Sequence, residues 1–536
     1  MFCKSLNGKC QSNITRREFI ETCSFGLLAL SVKGVYANDS TESQKRNVLL
    51  IYLDDLRPEL KCYGESKIIS PNMDKLAARS LVFNKAYCQV PICMPSRVST
   101  LSGMYSRSSG QGHLRNLLGK GLPSLPGYFK ANGYDTISVG KVYHFNNDDE
   151  PSWTRRYTDT FYEQKLVCDG YCSGYQKEEN KKGLTYSRTG RNSSSITECV
   201  DAPDSSYPDG LIADTAIAEL KKYSKSGQPM FLVAGFYRPH LPWAAPKKYW
   251  DLYRREEIDI AANPFFPTNA ITRNSWGDLR HYGDKEVNAA NINGSCDADR
   301  FPVLSEEKQQ ELVHGYWACV SFVDAQIGRV LDSLEKLGMA DNTVVVLCSD
   351  HGWQLGEHKL WSKCSNYEEA LRVPLMVAAP PITKGKKTEA LSELVDIYPT
   401  LCELTDLPVP EHVEGTSMVP LLKELSREWK SAAFSIWGGA RSMRTDRYRL
   451  TVYNKALPKG NMHQLPSQGR YELYDYKTDP AGNVNIAVDP KNEELLEKLI
   501  AQMNAGFKAA RVRGLTLKYN SAATPPSPST FPTSPC

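Results

Sequence analysis

Residues 47–55, Asn-Val-Leu-Leu-Ile-Tyr-Leu-Asp-Asp, constrain the fold of this chain more than any other stretch. The run from Val48 to Leu53 is apolar without a break, so it offers no face to water. A strand of that composition is buried on both sides, which is the habit of parallel sheets covered by helices. The run stops at two adjacent carboxylates, Asp54 and Asp55. In open α/β sheets ligands bind just beyond the carboxyl ends of strands. Paired acids at such an end suit a hard divalent cation that takes oxygen ligands. A solvated turn accounts better for an Asp-Asp pair taken alone, so the weight falls on how the other strands end.

They end in the same manner. Thr343–Ser349 is a second β-branched run and leads into Asp350-His351-Gly352. Pro229–Phe236 leads into Tyr237-Arg238-Pro239-His240, and Thr136–Val139 leads into Gly140-Lys141-Val142-Tyr143-His144. Helical patterns separate these runs. The longest, Ser305–Leu337, carries an apolar stripe through Leu312, Tyr316, Val320, Val323, Ile327 and Leu331, read as core. Shorter helices are expected over Arg97–Met104, Leu211–Tyr223 and Ser392–Thr405. The alternation predicts an α/β domain with a mixed, mostly parallel sheet between helices. From Gly415 the pattern changes. Phe434–Trp437, Ser442–Arg444, Tyr448–Tyr453 and Tyr471–Asp475 read as short antiparallel strands, and Glu493–Ala509 as a helix on them. That predicts a small C-terminal α+β subdomain.

The expected division is therefore 1–37 as an export signal, 38–414 as the large domain, 415–515 as the subdomain, and 516–536 as a tail. The tail is rich in Pro, Ser and Thr and has too little apolar surface to fold. At the other end, Thr15-Arg16-Arg17-Glu18-Phe19-Ile20 precedes the apolar run Cys23–Val32 and Val35-Tyr36-Ala37. That order resembles a twin-arginine secretory signal, and its apolar core is too short to span a bilayer. A periplasmic or secreted product is expected, with no membrane span. Export permits a disulfide among Cys168, Cys172 and Cys199. The 15 cysteines show no zinc-type spacing. A net charge of +4 without a basic block gives no footprint for nucleic acid.

One motif carries the chemistry. Cys93-Met94-Pro95-Ser96-Arg97 fits Cys-x-Pro-Ser-Arg and resembles the activation site of the type I sulfatases, where the cysteine is oxidised to formylglycine. A hydrated aldehyde carries two hydroxyls on one carbon. One can attack a sulfate ester, and the other can later expel the sulfate as the aldehyde re-forms, which is covalent catalysis with a self-releasing nucleophile.

Together with the order of the strand ends, the chain resembles sulfatases of the alkaline phosphatase superfamily along nearly its whole length after residue 38. Within them it resembles the iduronate-2-sulfatase group at Gly140–His144, Gly235–Pro242, Gly352–His358 and Ser362–Asn366. The resemblance implies one Ca2+ held by Asp54, Asp55, the formylglycine at Cys93, Asp350 and His351. Many sulfatases carry Asn where this chain has His351. It implies a sulfate pocket lined by Arg97, Lys141, His144, His240 and Lys363. In that pocket Lys141, Lys363 and Arg97 neutralise sulfate oxygens, His240 protonates the leaving sugar oxygen, and His144 takes a proton from the diol. A sulfated glycan is the implied substrate, and a formylglycine-generating or anaerobic sulfatase-maturating enzyme the implied partner. A phosphonate monoester or phosphodiester hydrolase of the same superfamily, and a non-catalytic sulfated-glycan binder, are the alternatives. Residues 145–210 and 245–303 show little periodicity and read as loops over the site. Arg115, Arg238 and Trp243 are candidate sugar contacts.

Overall fold

The computed structural model describes residues 45–106, 121–144, 147–157, 174–183, 193–271, 278–290, 304–383, 385–453, 471–511 and 519–520. The export segment, Arg115, Cys168 and Cys172 lie outside them. Among the described residues no helix is long and apolar enough to cross a membrane.

Eight strands build the main sheet: β1 (Asn47–Asp54), β2 (Leu81–Phe83), β3 (Asp135–Gly140), β4 (Arg155–Arg156), β5 (Met230–Pro239), β6 (Thr343–Ser349), β7 (Leu375–Ala378) and β8 (Lys386–Thr388). Their order is β8-β2-β7-β6-β1-β5-β3-β4. β1 runs parallel to both neighbours, β5 and β6, and only β7 runs against the strands beside it. The carboxyl ends of β1, β3, β5 and β6 therefore open on one edge.

The apolar run of β1 is two-sided, as its composition requires. Leu49, Ile51 and Leu53 face one core and Val48, Leu50 and Tyr52 the other. The first core is closed by helices α3 (Pro208–Tyr223) and α4 (Glu306–Lys336). The second is closed by α1 (Cys93–Ser102), α2 (Leu125–Ala131) and α5 (Ile397–Leu404). Full burial of each such side chain contributes about 1.5–3 kcal/mol. The α4 stripe is buried throughout, and the Ser305 side chain caps that helix by accepting from the Lys308 amide.

Two helix starts differ from the sequence reading. α1 begins at Cys93, not Arg97, because Pro95 falls in the first turn, where amides have no intrahelical partner and a missing N–H costs nothing. Gly103 ends it at φ 66°, packed so close to Val413 that a Cβ would come within 2.9 Å. The helix expected from Ser392 begins only at Ile397, because Ser392–Glu393 pairs with Ala86–Tyr87 and the Glu393 amide donates to Asp396.

Near the C-terminus β9 (Ala433–Trp437), β10 (Ala440–Arg444), β11 (Tyr448–Tyr453) and β12 (Tyr471–Asp475) form an antiparallel meander. Helix α6 (Glu493–Ala510) covers it through Leu499 and Met503 against Met443, Leu450 and Leu473. Tyr519–Asn520, in the tail read as unstructured, pairs with Val409–Pro410.

Three further readings need correction. Arg238 and Trp243 do not face a sugar: each is 1% exposed, with Arg238 Nε donating to the Ala244 carbonyl and Trp243 Nε1 to that of Pro239. Thr197–Val200, inside a segment read as loop, pairs in parallel with Trp243–Pro246, which runs into the start of the other such segment. Cys199 is a free, exposed thiol and takes no part in a disulfide, while Cys168 and Cys172 lie outside the described residues.

Candidate active site

Adjacent residues of a strand point to opposite faces. Asp54 and Asp55 escape this rule because Asp55 takes a left-handed conformation, φ 64°. Asp tolerates that region better than most residues. Hydrogen bonds hold it there. The Asp55 amide donates to Asp350 Oδ1 at 3.2 Å, and the Tyr316 hydroxyl donates to the Asp55 carbonyl at 2.9 Å. The same hydroxyl accepts from the Arg57 amide at 3.0 Å. Tyr316, read from the sequence as plain core, is thus a clamp on the turn.

Cys93 stands at the positive end of α1 and points into this turn. Its Sγ lies 3.3 Å from Asp54 Oδ1, 3.3 Å from His351 Nε2 and 3.4 Å from Lys363 Nζ. Lys141 Nζ bonds Asp54, while Lys363 Nζ lies 3.0 and 3.3 Å from the oxygens of Asp55. Lys141 owes its place to a close approach of β3 and β5. Its amide donates to the Gly235 carbonyl at 2.8 Å, and a Cβ on Gly235 would sit 2.1 Å from the Lys141 carbonyl oxygen.

Arg97 lies beneath the cluster, fully buried. Nε donates to Asp350 Oδ2 at 2.9 Å, and the terminal nitrogens to the carbonyls of Leu53, Lys141 and Val142. Asp350 is drawn back by this contact and by the amides of Asp55 and His351. His240 reaches the cluster from the β5 end, its Nε2 3.9 Å from Asp55 Oδ2. His144 follows β3, partly buried, within the field of Lys141. The residues read as metal ligands and as sulfate-pocket lining thus gather at one sheet edge, with Arg97 and Asp350 a layer behind. The sequence reading omitted Asp278, whose carboxylate lies 3.6 Å from Lys363 Nζ. No periodicity or motif marks it.

Burial and neighbouring charge set the protonation states. Burial, with Asp54 next to it, pushes the Cys93 thiol up, so it remains protonated and donates to that carboxylate. Against the burial that would raise it, Lys141, His240 and Arg97 hold Asp54 well below the usual carboxylate range. Asp55 goes the other way: burial raises it despite Lys363, helped by the charges of Asp54 and Asp350. Burial lowers His240 well below its ordinary value, with Lys363 adding to the effect. Burial and Lys141 lower His144 to about 3, and burial takes His351 to about 4.

The donor set fits a divalent cation. Ligand atoms of Asp54, Asp55, Cys93 and His351 all lie within 4.8 Å of one another. The His351 tautomer is fixed: Nδ1 donates to the Gly352 carbonyl at 3.0 Å, so the lone pair of Nε2 faces the cluster. Nε2 lies 3.4 Å from Asp55 Oδ1, close enough for both atoms to hold one cation once Asp55 is ionised.

Comparison with known proteins agrees with this chemistry. The family model described as Sulfatase matches residues 46–407, and that of the N-sulphoglucosamine sulphohydrolase C-terminal region matches 356–509. Iduronate 2-sulfatase of Mus musculus is 32% identical over 541 residues, covering 86% of this chain and 94% of the relative. The Homo sapiens enzyme is 35% identical over 438 residues, covering 74% of each chain. A sulfatase of Formosa agariphila is 31% identical over 512 residues, covering 91% of this chain and 94% of its own. Among solved structures, a chain in complex with its substrate D-glucosamine-2-N,6-O-disulfate superposes with a TM-score of 0.64 at 21% identity, covering 87% of this chain and 98% of that one. The phosphonate monoester hydrolase of Silicibacter pomeroyi reaches 0.65 at 20% identity, covering 88% and 97%, a likeness of fold alone. A family match across most of the length, with relatives above 30% identity aligned nearly end to end, places this chain in the sulfatase family, as a sulfuric ester hydrolase.

Proposed function

We propose that this sulfatase removes sulfate from a sulfated glycan in the manner of an iduronate 2-sulfatase, with the 2-O-sulfate of a uronic acid as its first candidate substrate. The observation that carries the reading is the position of Cys93 Sγ, within 3.4 Å of Asp54, His351 and Lys363 at once. The sulfur stands where the oxygens of formylglycine belong. As formylglycine, residue 93 supplies a hydrated aldehyde whose one hydroxyl attacks sulfur and whose other releases sulfate. Ca2+ is the proposed ion, held by Asp54, Asp55, residue 93 and His351 with Asp350 behind them; it supplies positive charge at the ester oxygens.

The remaining work falls to the chain's own side chains. Lys141 and Lys363 rest on Asp54 and Asp55 and turn their remaining N–H groups to the sulfuryl oxygens, fixing the ester for in-line attack. Arg97 holds Asp350 and the start of the Lys141 loop, and so acts as a positioning residue. His240 donates Nδ1–H to the Leu241 carbonyl at 2.6 Å, which leaves Nε2 facing the cluster. An entering anion raises its proton affinity, so Nε2 can carry a proton to the leaving oxygen. His144, neutral at physiological pH, accepts the proton released from residue 93. Maturation by a formylglycine-generating or anaerobic maturating enzyme, and export to the periplasm or medium, complete the proposal.

The test is peptide mass spectrometry across Cys93 on protein co-expressed with a formylglycine-generating enzyme, followed by sulfate release from a panel of sulfated uronates and hexosamines. Aldehyde at residue 93 with release from 2-O-sulfated uronate is the expected result. Multiple turnovers by a chain with intact cysteine would overturn the mechanism. Release only from other sulfated positions would overturn the substrate.

A further inference from the structure

The short helical turn Asp278–His281 belongs to a stretch in which the sequence showed no pattern, yet it turns a carboxylate to the active site. Asp278 Oδ2 lies 3.6 Å from Lys363 Nζ, the ammonium that also stands 3.0 Å from Asp55 Oδ1 and 3.4 Å from Cys93 Sγ. Side-chain exposure rises along this line, from 1% at Asp55 through 6% at Lys363 to 19% at Asp278. Asp278 is therefore the most exposed of the three and meets Lys363 on its outer side. Its charge is felt at the neighbouring Cys364 thiol, which burial and then Asp278 push upward.

A pocket built only to attract anions gains nothing from a carboxylate against one of its lysines. Such a group opposes every negative charge that approaches. Coulomb repulsion scales with the product of charges, so a fixed carboxylate opposes a dianion about twice as strongly as a monoanion at the same distance. A sulfate monoester carries one negative charge. The inorganic sulfate released from it carries two, and a phosphate monoester at neutral pH carries nearly two.

We propose that Asp278 sets the charge selectivity of the sulfate pocket, competing with the bound anion for Lys363 so that the singly charged ester is held and doubly charged oxyanions are turned away. The group would act on specificity and on product release together: the ester enters against one unit of repulsion, and free sulfate leaves under two. This inference rests on the reading of Lys363 as a sulfate-binding residue.

The experiment measures binding rather than turnover. Asp278→Asn is made in a Cys93→Ser background, which cannot form the aldehyde, and calorimetry gives the Kd of inorganic sulfate and of 4-nitrophenyl sulfate for both proteins. Asp278→Ser is run beside it in case the amide disturbs the turn. The expected result is about a tenfold fall in Kd for inorganic sulfate against about threefold for the ester. Equal factors for the two ligands, or no gain for sulfate in either variant, would overturn the proposal. Lys363→Ala separates the two readings. If it binds sulfate as well as its parent, the assignment of Lys363 itself fails; if it does not, only the role of Asp278 is being judged.

Discussion

Tyr316→Phe removes one oxygen atom and tests the architecture of the site at its most economical point. That hydroxyl donates to the Asp55 carbonyl at 2.9 Å and accepts from the Arg57 amide at 3.0 Å, in a side chain with no exposed surface. Each hydrogen bond is worth roughly 1 kcal/mol net, and a buried group left without a partner costs about 1–3 kcal/mol. Phenylalanine leaves two such groups, so the variant should lose about 2–6 kcal/mol of stability. The cost falls on a turn that already holds Asp55 at φ 64°. Without the clamp the Asp55 carboxylate loses its orientation. Outer-shell losses of this kind lower metal affinity by about 10- to 100-fold. Urea denaturation at unchanged m gives the first quantity, and titration of chelator-stripped protein with calcium, the proposed ion, gives the second. Activity should return at high calcium, since mass action restores occupancy of a weakened site. A variant within about 0.5 kcal/mol of the parent, with the same calcium midpoint, would refute the reasoning, because surface-like substitutions behave that way.

Other perturbations test separate parts of the structure. Gly235→Ala places a methyl 2.1 Å from the Lys141 carbonyl oxygen, backbone against backbone, and must push β3 from β5. Stability should fall by about 1–3 kcal/mol. Displacement of Lys141 by even an ångström should lower kcat/KM for an aryl sulfate about 100-fold; a loss under threefold would show that the lysine is not positioned this way. Glu368 joins the meander to the main domain, accepting from Arg449, from Arg444 at 3.3 Å and from the Tyr87 hydroxyl at 2.7 Å. Although burial opposes it, Arg449 and Arg444 hold this carboxyl at about 2. Glu368→Gln should cost about 3 kcal/mol in denaturant by leaving two buried guanidiniums unpaired, and an unchanged midpoint would remove the pair from the account. Burial lowers His358 and His412 to about 4 in the folded chain. The unfolded chain therefore binds protons first: the stability these residues give is complete above about pH 6.5 and is lost as pH falls toward their folded values. His412→Gln should flatten the fall between pH 6.5 and 4, measured by urea midpoints, and an equally steep fall would assign it to other groups.

Much of this arrangement was legible beforehand, for a physical reason. A strand buried on both faces must be apolar at every position, so β1, β5 and β6 announce themselves by composition, and polar residues at their ends stand out. α4 was legible because one helix face packs on the sheet and repeats with the helical period. The misreadings share a cause. Arg238 and Trp243 look like surface binding groups in one dimension; buried, they donate to carbonyls at the β5 exit. Tyr316 sits on an apolar stripe and was counted as core, since nothing in the stripe shows where a hydroxyl points. The sequence pattern starts α1 only at Arg97, because nothing in one dimension shows that Pro95 sits in its first turn. Asp278 had no period, motif or neighbour to mark it.

By itself, the sequence determined the chemical groups and their order at the strand ends: carboxylates after β1 and β6, a lysine after β3, a histidine after β5, and an oxidisable cysteine at a helix start. Tertiary structure alone decided what those groups are to one another. It turned Asp55 beside Asp54, drew Asp350 back onto Arg97, fixed the free nitrogen of His351, and gave each lysine its own carboxylate. Residues 39 to 308 positions apart meet there within 3.4 Å. Coulomb energies and proton affinities depend on those separations, which the sheet order and the covering helices set and the chain's linear order does not contain.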